Sequence, residues 1–200
     1  MALGQFPIDS NGAAFETLES AKGVTLKARA VVGSPYREYR VETKTAHGVN
    51  DLCAAIFEWA TGGNDVPGVV FAKVLVSAEN ERVLYSQLSF PIVAKRDYVM
   101  SVKREWLGDG HCRVRFRTTT DGAPPTPSGF VRMDKVWGEW ELVSEPGGGS
   151  LLTHTLFSDP AGSVPSFLVH GDQKASTRDS VSRALEKTRV YVEKKTSLQR

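Results

Sequence analysis

The sequence predicts an α+β chain in which a curved antiparallel sheet wraps around one long C-terminal helix, with a gap between them that side chains fill or a ligand occupies. Three observations predict it. Strand-like segments follow one another at hairpin spacing, one of them alternates so cleanly that one of its faces must be wet, and the chain closes on its longest helical pattern. Cys112, Val114 and Phe116 point one way while Arg113, Arg115 and Arg117 point the other. The arginine row reads as solvated surface. From Val164 to about Lys194, Phe167, Leu168, Gly171, Ala175, Val181, Leu185, Thr188 and Val192 recur at three and four, and Pro165 fits the first turn. A helix of about 28 residues is about 42 Å long, as long as the sheet is wide, so the sheet must curve to grip it.

The remaining elements follow in chain order. Phe15, Leu18 and Ala21 stand at helical spacing before Lys22-Gly23, which predicts a short amphipathic helix with a glycine cap. Val24 to Val31 and Tyr36 to Thr45 read as strands around Gly33-Ser34-Pro35. Val49, Leu52, Cys53, Ile56, Phe57 and Ala60 mark a helix with one buried stripe, ended by Gly62-Gly63. Six strands come next, at Val69–Ala78, Arg82–Phe90, Asp97–Trp106, Arg113–Thr119, Gly129–Val143 and Ser150–Ser158, which predicts a meander. Strand parity then selects inward-facing residues. Tyr98, Met100 and Val102 share a face, as do Trp140 and Leu142, and Leu152, His154 and Leu156.

Composition limits the functions. With 40% hydrophobic and 24% charged residues, the 200-residue chain is expected to form a single domain, its core spanning about 15 to 194. Its 25 basic and 23 acidic side chains leave a net charge of +2 without a like-charged run, which speaks against a nucleic-acid partner. Arg189, Lys194, Lys195 and Arg200 make the tail locally basic, the pattern of a solvated helix end or of a transient contact with a membrane surface. Cys53 and Cys112 stand at apolar positions without partners at metal-ligand spacing and read as buried free thiols, which suits a reducing compartment. Met1 to Ser10 lacks a basic segment followed by an apolar one, and a cytoplasmic monomer is the expectation.

Neither a cofactor nor catalysis is expected. His47, His111, His154 and His170 are scattered, with no carboxylate or cysteine at the spacing of a metal site. Nucleophile-elbow, phosphate-loop, zinc-protease and dinucleotide motifs are all missing. Pro146 to Ser150 is glycine-rich but joins two strands, as a hairpin loop does.

Two strings carry a family resemblance. Asp159-Pro160-Ala161-Gly162-Ser163-Val164-Pro165-Ser166-Phe167-Leu168-Val169 and Pro91-Ile92-Val93-Ala94-Lys95-Arg96-Asp97-Tyr98-Val99 resemble the START domain, the steroidogenic-acute-regulatory-protein-related lipid-transfer family. Val131-Arg132, Trp140-Glu141-Leu142 and Leu152-Thr153-His154-Thr155 fall where that family places its last strands, and the likeness runs from Gly23 to the end of the last helix. The resemblance implies a helix-grip fold whose tunnel holds a sterol, phospholipid, sphingolipid or other apolar molecule for transfer or sensing. Burying about 400 Å² of such a ligand is worth on the order of 10 kcal/mol before association costs.

The resemblance also implies a set of ligand contacts: Gln87, Tyr98, Met100, Val102, Val114, Phe116, Trp140, Leu142, His154, Leu156, Phe167, Leu168, Val181 and Leu185. Pro91 to Lys95, with Phe167 and Leu168, would form the gate. Sterol-carrying members place an acidic residue and an arginine on neighbouring strands, and Gln87 and Val102 stand at the matching positions here. Gln87, with His154, is left to orient a hydroxyl or carbonyl, and Arg96 and Asp97 read as an ion pair at a strand start. The helix-grip architecture also hosts cyclases and aromatases of polyketide-type substrates, for which His154 or Tyr98 would serve as acid or base.

Overall fold

The structure, a computed structural model, describes residues 13–62, 66, 68–89, 93–162, 164 and 166–198. Along the chain run β1 (Glu16–Ala21), β2 (Val24–Ala30), β3 (Arg37–Thr45), α1 (Val49–Gly62), β4 (Val69–Ser77), β5 (Glu81–Leu88), β6 (Lys95–Gly108), β7 (His111–Thr118), β8 (Phe130–Arg132), β9 (Val136–Ser144), β10 (Ser150–Ser158) and α2 (Ser166–Ser197). The strands form one sheet in the order β1-β2-β3-β10-β9-β7-β6-β5-β4. β8 lies off that path, paired parallel to the start of β6, so the stretch expected as a single strand from Gly129 to Val143 is two. Every other pairing is antiparallel, and β4 to β10 run as the expected meander before β10 returns beside β3.

The N-terminal helix expected from Phe15, Leu18 and Ala21 is instead the edge strand β1. Lys22 and Gly23 both have positive φ, 51° and 76°, and join Ala21 to its ladder partner Val24. Two left-handed residues between paired strands make the hairpin turn whose twist matches that of the strands. The same glycine would serve a helix cap, and only the pairing partner tells the two apart.

Both helices cover one face of the sheet. α1 buries Val49, Leu52, Cys53, Ile56 and Phe57 against β6, β7 and β9, and α2 packs on α1, β3 and β10. At 32 residues α2 is about 48 Å long. Its buried stripe, Thr177, Val181, Ala184 and Thr188, is made of small side chains, so the helix lies close on its neighbours. The two threonine hydroxyls donate to the carbonyls of Gln173 and Ala184, which removes the cost of burying them. Lys195 ties the far end to Asp51 of α1 at 2.9 Å.

Cys53 and Cys112 are not free thiols: they form a disulfide between α1 and β7, their Cα atoms 6.2 Å apart. The reducing-compartment argument drawn from free thiols falls with it. No helix among the described residues is long and apolar enough to cross a membrane.

Candidate functional site

The inner face of the sheet follows from its ladders, because residues directly opposite each other share a face. Leu156, Gly138, Phe116 and Val102 form one such row, and His154, Trp140 and Val114 form the next. Tyr98 stands opposite Ser86, and Met100 opposite Leu84. Tyr98, Met100, Val102, Val114, Phe116, Trp140, Leu142, His154 and Leu156 therefore point inward, as sequence parity implies. All of these but His154 join Val181 and Leu185 of α2 in one apolar cluster, and His154 stacks on its Trp140. Phe167 and Leu168 fall in the first turns of α2; their side chains, like Pro91 and Ile92 of the expected gate, lie outside the described residues.

Gln87 is the exception. It stands opposite Asp97 on the outer face and donates to the Tyr85 hydroxyl at 3.0 Å, so the sheet separates it from Val102. An arginine at position 102 would not meet Gln87. The parity of β5 is hidden in the sequence because Val83, Leu84 and Tyr85 are all apolar and all buried. Val83, Tyr85 and Val99 form a second small cluster, with Leu75 and Ala123, on the opposite face of the sheet. With both faces dry, alternation vanishes.

Arg96 and Asp97, expected as a pair, face opposite ways and hold different parts of the chain. Asp97 is fully buried and accepts two hydrogen bonds from Arg132, at 2.8 and 2.7 Å, and one from Tyr85 at 3.2 Å. Arg96, 4% exposed, donates to the carbonyls of Pro160, Ala161 and Ala94. It thus fixes the loop that leads into α2, which Tyr36 also holds by donating to the Val164 carbonyl at 3.0 Å. The arginine row on the outer face is paired: Arg113 and Arg115 meet Glu139, Glu141 and Glu105 across the strands. In the tail, Arg189 is bound to Glu186 and Glu193 and Lys195 to Asp51, as suits a solvated helix end.

Within the cluster the aromatic side chains are ordered by contact. His154 stacks on Trp140, with ring centroids 3.6 Å apart and planes 10° from parallel, and Trp59 of α1 meets Trp140 edge-on at 6.0 Å. Gly138 lets Phe116 lie flat on β9; a Cβ there would come within 2.5 Å of the Phe116 ring and 2.2 Å of the Thr155 carbonyl. Burial pushes the His154 pKa down to about 3, against a smaller upward pull from the Glu139 carbonyl. His154 is thus neutral at physiological pH.

That shift has a measurable sign. The unfolded chain protonates His154 near its ordinary pKa of about 6.5 while the folded chain does not, so the unfolded state binds the extra proton and stability falls as pH drops from there to about 3. The His154→Phe variant is expected to lose about 1.4 kcal/mol per pH unit of that slope, read by urea denaturation across the window. A variant slope equal to the wild type would place the imidazole in water.

Four inward-facing side chains in contact with this cluster stay only half-buried: Tyr98, Phe116, Leu156 and Leu185. Burial nevertheless raises the Tyr98 phenol pKa, with Ser86 pulling the other way through a hydrogen bond, so its hydroxyl lies deep. At the same end of the sheet a cleft of about 620 Å³ opens between Tyr36, Lys135, Asp159, Gly162 and Val164. Sequence parity did not reveal Ser86, Trp59, Leu84, Met133 or Gly138 as parts of this wall.

A curved sheet gripping a long helix defines a helix-grip protein. The chain belongs to the START domain family, whose model matches residues 69–188. It is similar to an uncharacterised protein of Pseudomonas aeruginosa, 27% identical over 200 residues, 94% of this chain and 95% of that one. Among solved structures it resembles a STAR-related lipid transfer protein fragment from Xanthomonas axonopodis, with TM-score 0.74 and 26% identity over 88% of this chain and 98% of that one. Human StAR-related lipid transfer protein 5, at TM-score 0.73 and 17% identity over 90% of this chain and 88% of the other, shares the fold.

Proposed function

We propose that the chain, as one monomeric domain, encloses a single apolar molecule between the inner face of the sheet and α2, for transfer or sensing and without transforming it. One observation carries this reading: Tyr98, Phe116, Leu156 and Leu185 are inward-facing apolar side chains that keep accessible surface. Filling that space with hydrocarbon removes apolar area from water on both partners, at about 25 cal/mol per Å². The cleft beside Tyr36 and Val164 is our choice for the mouth, because it adjoins the loop that Arg96 and Tyr36 fasten to the sheet. A cyclase-like reading would ask His154 or Tyr98 for proton transfer. Burial works against both, because it makes the imidazole a weaker base and the phenol a weaker acid.

Native mass spectrometry after mild purification, followed by solvent extraction, tests the reading. The expected result is an apolar adduct that delipidation removes and that sterols, phospholipids or fatty acids restore. Failure of all three classes to load the delipidated chain would overturn it.

A further inference from the structure

We propose that the free edge of β4 is a docking site for an extended, mostly apolar strand of a partner protein, with an acidic residue of that strand opposite Lys73. The inference is independent of what the interior holds. β4 ends the sheet order and, among the described residues, pairs with β5 alone. Every second residue of an edge strand turns its N–H and C=O away from its neighbour, so part of the β4 backbone has no ladder partner. The side chains beside that edge are apolar and open: Val70, Phe71, Val74 and Val76 are 62, 47, 44 and 52% exposed. Phe71 meets the Tyr85 ring edge-on at 6.2 Å, so it is braced on the sheet rather than loose in water. The other edge of the sheet is built differently. β1 carries Glu16 and Glu19, which pair with Arg37 and with Arg178 of α2, so charge guards it. β4 has one charged residue, Lys73, exposed and in no ion pair among the described residues.

Backbone and charge together select the occupant. Bilayer hydrocarbon would cover the apolar side chains but leave the unpaired backbone groups of the edge without partners, which is costly. A second copy would pair them, but laying Val69–Ser77 antiparallel on itself about its centre sets Lys73 against its own counterpart, a like-charge pair. A foreign strand bearing a carboxylate at that point answers all three needs: ladder partners, apolar cover and a counter-charge. Bulges between Val69 and Phe71 and between Val74 and Val76 leave Phe71 to Val74 as the run in unbroken register. The ladder is therefore short, and the contacts of Phe71 and Val74 supply much of the affinity.

The test uses the full chain and fluorescence anisotropy of labelled, capped peptides made of valine and threonine around a central glutamate, glutamine or lysine. The glutamate peptide is expected to bind tightest and the lysine peptide weakest, each step roughly twofold to fivefold, the worth of one cross-strand charge pair. Hydrogen exchange should show the glutamate peptide protecting amides of β4. Lys73→Glu should reverse the order of the three peptides, and Val74→Glu should weaken all of them. Both positions are exposed, and Lys73→Glu alone keeps the test decisive if Val74→Glu fails to fold. No binding by any peptide at millimolar concentration, protection only outside β4, or an unchanged order in Lys73→Glu would overturn the proposal. So would a dimer in sedimentation that Val74→Glu dissolves, which assigns the edge to a second copy. Binding to phosphatidylcholine vesicles that Val74→Glu abolishes would assign it to a lipid surface and overturn the proposal equally.

Discussion

Replacing Arg132 with alanine is expected to lower the unfolding free energy by about 3–5 kcal/mol, the cost of leaving one charge of a buried pair without its partner. Arg132 gives Asp97 both halves of a bidentate contact, and Asp97 has no exposed surface on which water could replace it. For a chain of this size that corresponds to a fall in Tm of roughly 6–20 °C. Asp97→Ala should cost less. The Arg132 side chain is 24% exposed, so once released it can turn to solvent, and it keeps its bond to the Pro124 carbonyl at 2.9 Å. The double variant should therefore be more stable than Arg132→Ala alone. Urea denaturation of the three variants forms the cycle that checks this. An Arg132→Ala protein within about 1 kcal/mol of wild type would mean that Asp97 finds water, and the buried-pair account would fall.

This pair also explains why a two-residue string could carry so much of the family likeness and still be misread. Arg and Asp in sequence suggest each other as partners, but neighbours on a strand point to opposite faces. Arg96 fastens the loop before α2, while Asp97, through Arg132, fastens β8 and the crossover around Pro124. One dipeptide thereby holds a cover on each side of the sheet. The long helix, the meander and the parity of β6, β7, β9 and β10 were legible because each of those segments has a polar face to contrast with an apolar one. β5 was not legible, since Val83 to Tyr85 are buried on alternate sides; the inside position of Gln87 came from the family resemblance, and nothing in the strand's pattern opposed it or pointed to Ser86. Spacing likewise failed at β1, where a bulge between Thr17 and Glu19 breaks the period of two and leaves Phe15, Leu18 and Ala21 at intervals that imitate a helix.

Sequence spacing cannot bring Cys53 to Cys112, which are 59 residues apart, but the fold does so by laying the buried stripe of α1 on the inner face of β7. Reducing this crosslink is expected to lower stability by about 4 kcal/mol, because the unfolded chain then regains the freedom of a loop of about 60 residues. Both cysteines have no exposed surface, so a reductant reaches the bond only when α1 lifts away. The folded protein should therefore keep its disulfide in dithiothreitol under native conditions and lose it in moderate urea. Paired urea denaturation curves, oxidised and reduced, measure the difference, and thiol titration confirms the state of each sample. The Cys53→Ala/Cys112→Ala variant should fall at least as far, since it gives up sulfur packing against the core as well. Coincident curves for oxidised and fully reduced protein would show that the core alone holds α1 in place. A difference near the expected size would show that the crosslink, and not packing alone, holds α1 on this wall of the interior.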